Sequence, residues 1–129
     1  MRHLFAKLIQ VVQSKKAGGT FDHAGNTVRY GRGYQVGLYG YELRFSELDP
    51  MTVFEICAWL DNVERGFFDG PYPEESRFSV GLWFDTSTSE YCLDLSLFVD
   101  DAEEAARFAH INKQKAIWDW TASGSVICC

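Results

Sequence analysis

The sequence predicts an α+β fold, a single domain with an antiparallel sheet and about three helices. Three observations carry that expectation. Residues 78–85 and 91–99 alternate apolar and polar side chains on either side of a short polar turn, the pattern of an antiparallel hairpin with one buried face. Three other stretches repeat apolar residues at helical spacing. The length of 129 residues suits one domain, and a domain of this size buries roughly two-thirds of its unfolded surface. The expected order is α-β-β-β-α-β-β-α-β.

The first element spans residues 2–15. Leu4, Leu8, Val11 and Val12 form a helical stripe with Phe5 and Ile9 beside it, and Gly18-Gly19 ends it. "TFDHAGNTVRY" reads as a hairpin: Thr20–Asp22, a turn over His23–Asn26, then Thr27–Tyr30.

"RYGRGYQVGLYGYELRF", residues 29–45, raises the question of a phosphate-cradling loop, with Gly31, Gly33, Gly37 and Gly40 close together. A dinucleotide loop needs G-x-G-x-x-G between a strand and a helix. Here the spacing differs, a strand pattern follows, and no G-K-[ST] occurs in the chain. The stretch reads as a sheet corner, with a turn at Gly31–Gly33 and with Gly37 and Gly40 allowing close approach or a bulge. Tyr34, Val36, Leu38 and Gly40 point to one side, and Gln35, Gly37, Tyr39 and Tyr41 to the other.

Asp49 and Pro50 set up a helix that runs to about Arg65, with Val53, Ile56, Cys57, Leu60 and Val63 inward and Gly66 as its stop. "FFDGPYPEES" is a loop. The hairpin follows, Phe78–Asp85 and Tyr91–Val99, expected at the sheet centre. Asp100 is expected to cap the third helix, with Glu103 completing a capping box, and Ala102, Ala105, Ala106, Ala109 and Ile111 giving it a small-residue face as far as Lys115. "AIWDW" reads as a short edge strand, and residues 121–129 as a loose tail, or a strand if Val126 and Ile127 find an edge.

Charge is unevenly placed. The net charge is −6. Residues 42–104 hold sixteen acidic groups against three arginines, Arg44, Arg65 and Arg77, whereas the first 41 residues are net basic. The acidic balance argues against direct nucleic-acid binding and suits a basic partner surface. No apolar run approaches a membrane span and no secretory leader is legible at the start, so a cytoplasmic protein with reduced thiols is expected.

Several chemistries find no motif. Cys57, Cys92, Cys128 and Cys129 make neither a disulfide framework nor a zinc spacing. The adjacent cysteines at the end do not match a C-a-a-X signal. His3, His23 and His110 stand outside any triad or metal motif, so no catalytic residue, metal or cofactor is expected. Asp85 and Asp94 are expected on one sheet face near Trp83 and Ser96, the layout a hydrolytic acid pair requires.

The segments "GGTFD" (18–22), "GYQVGLYGYE" (33–42), "VGLWFD" (80–85), "YCLDLSLFVDD" (91–101) and "NKQKAIWDW" (112–120), taken in order, span most of the chain. In these the chain resembles a group of small uncharacterised proteins of bacteriophages, plasmids and their hosts. That group has no assigned activity, so no functional residue carries over. The resemblance implies a mobile-element accessory protein, and small acidic proteins in that setting include anti-CRISPR-like inhibitors of host defence.

The functional expectation is therefore a non-enzymatic protein in a bacterial cytoplasm that binds and inhibits a host machine, a protein or nucleoprotein complex with a basic surface. Its contact residues would be Trp83, Asp85, Asp94, Glu103, Glu104, Trp118 and Trp120. The alternatives are a small-molecule or nucleotide-derivative pocket built from Tyr34, Tyr39, Tyr41 and Trp83, and a small hydrolase using Asp85 and Asp94. The oligomeric state is left open, a dimer included.

Overall fold

The computed structural model describes residues 2–15, 18–68 and 77–127. The chain runs α1 (Arg2–Gln13), β1 (Gly18–Phe21), β2 (Tyr34–Phe45), α2 (Pro50–Val63), β3 (Phe78–Asp85), β4 (Glu90–Val99), α3 (Ala102–Ile111), β5 (Ala116–Asp119) and β6 (Gly124–Ile127). A π-type turn over Glu64–Phe68 follows α2. All six strands join one antiparallel sheet in the order β1-β3-β4-β2-β5-β6. The fold is α+β, as the periodicities predict.

Alternation along β4 decides the layers. Tyr91, Leu93 and Leu95 are buried on one side, level with Val80 and Leu82 of β3. Leu4, Leu8 and Val11 of α1 and Ile56, Leu60 and Val63 of α2 close that core. At the other end of the same face, Ala105 and Ala109 of α3 pack on Val36 and Ile117, beside Val99. Alanine lets α3 lie close to the strands, and both residues are fully buried. Among the described residues, the three helices thus cover one face of the sheet and none lies on the other.

Local signals are met at the helix starts. Asp49 caps α2, with its Oδ1 accepting from the Thr52 N–H at 2.8 Å and Pro50 in the first turn. This hydrogen bond holds the Asp49 carboxyl below its ordinary range. At α3 the cap is Asp101, one residue beyond the expected Asp100: Asp101 has an extended backbone, and its Oδ2 accepts from the Glu104 N–H at 2.9 Å. Asp100 instead pairs with Arg32 at the surface. The helix ends at Ile111 rather than Lys115, where the Asn112 side chain donates to the Phe108 carbonyl.

Four further expectations are corrected. Thr27–Tyr30 is not a strand; Thr27 makes a single bridge to Phe21, and Tyr30 leaves the sheet edge to lay its ring on Phe98, 4.3 Å between centroids. Cys57 faces outward, because the buried stripe of α2 runs through Ile56, Leu60 and Val63. "AIWD" is no edge: β5 lies between β2 and β6, and residues 124–127 of the expected tail form that outermost strand. The alternation of β2 holds only to Gly37. Between Gly37 and Glu42, β2 spends five steps while β4 spends two, from Ser96 to Asp94. Gly40 takes the positive φ of 86° this bulge needs, and Asn112 Oδ1 accepts from the Tyr39 N–H. The odd number of extra residues resets the parity, returning Leu43 and Phe45 to the helix side and placing Glu42 and Arg44 on the open side. Cys128, Cys129 and most of the 67–76 loop lie outside the described residues.

Candidate binding face

The helix-free face is built row by row across β1, β3, β4 and β2. One row is Thr20, Gly81, Asp94 and Glu42, and the next is Gly18, Trp83, Cys92 and Arg44. Arg44 organises this end. Its Nε donates to Glu42 at 2.6 Å and its Nη1 to Asp85 at 3.0 Å, with Glu90 at 3.9 Å. The guanidinium also lies over the Trp83 ring, 5.4 Å from the centroid. Hydrogen bonds to Asp85 and Glu42 raise the Arg44 pKa further. Asp85 is held down at about 2, by the Ser87 hydroxyl first and Arg44 second. Three carboxylates, Glu42, Asp85 and Glu90, therefore hold one guanidinium, and Asp94 stands in the neighbouring row.

The other end of the face is aromatic. Trp120 Nε1 donates to Gln35 Oε1 at 3.1 Å, Gln35 Nε2 donates to Ser96 Oγ at 3.0 Å, and Ser96 Oγ donates to the Ser79 carbonyl at 3.4 Å. Tyr30, Phe98, Trp118 and Trp120 form successive ring contacts around this chain, and Arg77 stacks over Tyr30 and Phe98. The buried polar groups Gln35, Ser79 and Ser96 are thereby roofed without a helix.

Of the seven expected contact residues, Trp83, Asp85, Asp94, Trp118 and Trp120 gather on this face or at its margin. Glu103 and Glu104 do not. They sit in the first turn of α3, in the helix layer on the far side of the sheet. The tyrosine pocket also fails to assemble. Tyr34 packs with the α3 cluster, Tyr41 with Phe67 in the main core, and Tyr39 stands exposed at the bulge beneath Lys113. Asp85 and Asp94 share a face but not a site. Asp85 is level with Glu90, two rows from Asp94, or about 13 Å along the strands, beyond the spacing of a glycosidase acid pair.

Sequence reading missed Glu42, Arg44, Gln35, Tyr30 and Phe98. Glu42-x-Arg44, flanking Leu43 and followed by Phe45, is the signal that marks an open strand face after the bulge.

Burial first, then the charges of Glu42 and Asp94, push the Cys92 thiol up to about 12, which keeps it protonated. His3, His23 and His110 are exposed. Among the described residues no group of three or more His, Cys, Asp or Glu side chains is arranged to hold a metal ion. No described helix is long and apolar enough to cross a membrane. A cleft of about 270 Å³ lies between α1 and α2, lined by Arg2, Phe5, Cys57, Leu60, Asp61 and Glu64, and it contains none of the expected contact residues.

No protein-family model matches the chain, and neither a curated protein nor a solved structure does.

Proposed function

We propose that this protein is a non-enzymatic binding protein that covers a basic surface of a host macromolecular machine with its helix-free sheet face. The observation that carries this reading is the placement of two exposed tryptophans. Trp83 is 40% and Trp118 39% exposed, on the same face. They stand three rows apart along the strands and on β3 and β5, three strand spacings apart. In distance that is about 20 Å by about 14 Å. A small-molecule pocket is narrower than this, whereas a protein contact with separated aromatic anchors has this scale.

The three carboxylates around Arg44, with Asp94 in the next row, give the Trp83 end its sign. They repel a phosphate backbone and favour a cationic partner. The resemblance to accessory proteins of phages and plasmids narrows the partner to a host machine, in the manner of an anti-CRISPR-like inhibitor acting in the bacterial cytoplasm.

Affinity capture from a bacterial lysate at low and high salt tests the reading, with the intact protein beside Trp83→Ala and Trp118→Ala. A basic protein or nucleoprotein retained at low salt, released at high salt and lost in both variants is the expected result. Equal recovery by the parent and both variants, with unchanged melting temperatures, overturns it.

A further inference from the structure

Asp94 stands apart from the other carboxylates of the open face. Glu42, Asp85 and Glu90 each have an Arg44 nitrogen within 4 Å. Among the described residues, no cation lies at ion-pair distance from Asp94. Its surroundings are specific. Across β3, Gly81 leaves the space the carboxylate occupies, since a Cβ there would collide with Asp94 Oδ1. Across β2, Glu42 is directly opposite, a second negative charge. Along the same face lie Trp83 and then Asp85 on β3, Cys92 and Ser96 on β4, and Arg44 on β2, already engaged with Glu42, Asp85 and Trp83.

We propose that the partner completes this site with an arginine side chain, which inserts beside Trp83 and pairs with Asp94 and Glu42. This rests on the open face being the binding surface, and it names the chemistry that face recognises. Arginine fits better than lysine because a planar guanidinium reaches two carboxylates at once and stacks on an indole. Arg44 shows the arrangement within the chain, one row away, with two carboxylates and the Trp83 ring as its partners. Burial first, and then the Glu42 charge, hold the Asp94 carboxyl up at about 6, while hydrogen bonds with Trp83 and Gly81 pull it down. Asp94 is thus ionised at neutral pH and loses its charge as the pH falls through about 6.

The test is a titration of the intact ¹⁵N-labelled protein with a hexa-arginine peptide and its uncharged hexa-citrulline counterpart. Hexa-arginine is expected to move the Trp83 indole and Gly81 amide resonances, and hexa-citrulline to leave them in place. Asp94→Asn is expected to weaken hexa-arginine binding about tenfold or more, the factor one charge-assisted contact supplies. Lowering the pH from about 7.5 to about 5 is expected to weaken binding to the parent by a similar factor and to the variant far less. Glu103→Gln with Glu104→Gln serves as the charge control and is expected to change the affinity less than about twofold, as for charges remote from the site. No binding at millimolar peptide, or equal losses from Asp94→Asn and from the control, overturns the proposal. Lysate capture separates the two readings: a partner lost with Trp118→Ala but kept with Asp94→Asn leaves the open-face reading standing and sinks the arginine.

Discussion

Glu42 and Asp94 face each other across the β2–β4 ladder, two carboxylates in direct register on the helix-free side of the sheet. Like charges directly opposite destabilise a strand pair. Glu42 is relieved by Arg44 at 2.6 Å, while Asp94 is recessed beside Gly81 and no cation among the described residues pairs with it. The pair is therefore asymmetric, and the cost falls on Asp94.

Asp94→Asn is expected to stabilise the protein at neutral pH. The folded carboxyl titrates near 6, above the ordinary value of 3.8. The native state thus binds the proton more tightly than the unfolded chain does. The associated stability is fully present below the unfolded pKa and is lost as pH rises through about 6. The gain on removing the charge is at most about 3 kcal/mol at pH 7.5 and close to zero near pH 4. Urea unfolding of both proteins at the two pH values checks this. A difference that does not depend on pH would mean the carboxylate is not the cause.

Gly81→Ala is expected to cost about 1–3 kcal/mol, because its methyl needs the volume of the Asp94 carboxylate. In the background of Asp94→Ala most of that cost is expected to vanish. A double-mutant cycle with a coupling of about 1 kcal/mol or more is the expected outcome, and additive effects would show that the strain lies elsewhere.

Leu93→Ala and Leu95→Ala each empty a site of zero exposure beneath α1 and α2. Each is expected to cost about 2–5 kcal/mol. Denaturant midpoints within experimental error of the parent for both would place the core on the wrong face of β4.

The two neighbouring aspartates before α3 are expected to behave differently. Asp101→Ala removes the acceptor of the Glu104 N–H and is expected to cost about 1 kcal/mol. Asp100→Ala removes only an exposed ion pair with Arg32 and is expected to cost less than about 0.5 kcal/mol. Thermal melts of the two variants side by side decide which residue is the cap.

Much of the fold is legible because its signals are local. The alternation of 78–85 and 91–99 specifies the central hairpin and its buried face. The Asp49-Pro50 pair specifies the start of α2, and the alanines of α3 its close approach to the sheet. Of the site, Trp83, Asp85 and Asp94 were placed on one face by parity alone. The boundaries drifted where a neighbour residue of the same type competes, as Asp100 does with Asp101.

By itself, then, the sequence determined the three helices, the central hairpin and the long strand β2, because side-chain periodicity and capping act within a few residues; it did not determine that 27–30 is no strand or that 124–127 is one. Only the tertiary structure decided where β2 changes parity, and which charges share the uncovered face of the sheet. A bulge of three residues at Gly40 reverses the parity of β2, and that reversal sets Glu42 against Asp94 and Arg44 over Trp83. The helix layer in turn carries Glu103 and Glu104 away from that face. Register between strands distant in sequence fixes these pairings, and it depends on packing across the whole sheet rather than on neighbours along the chain.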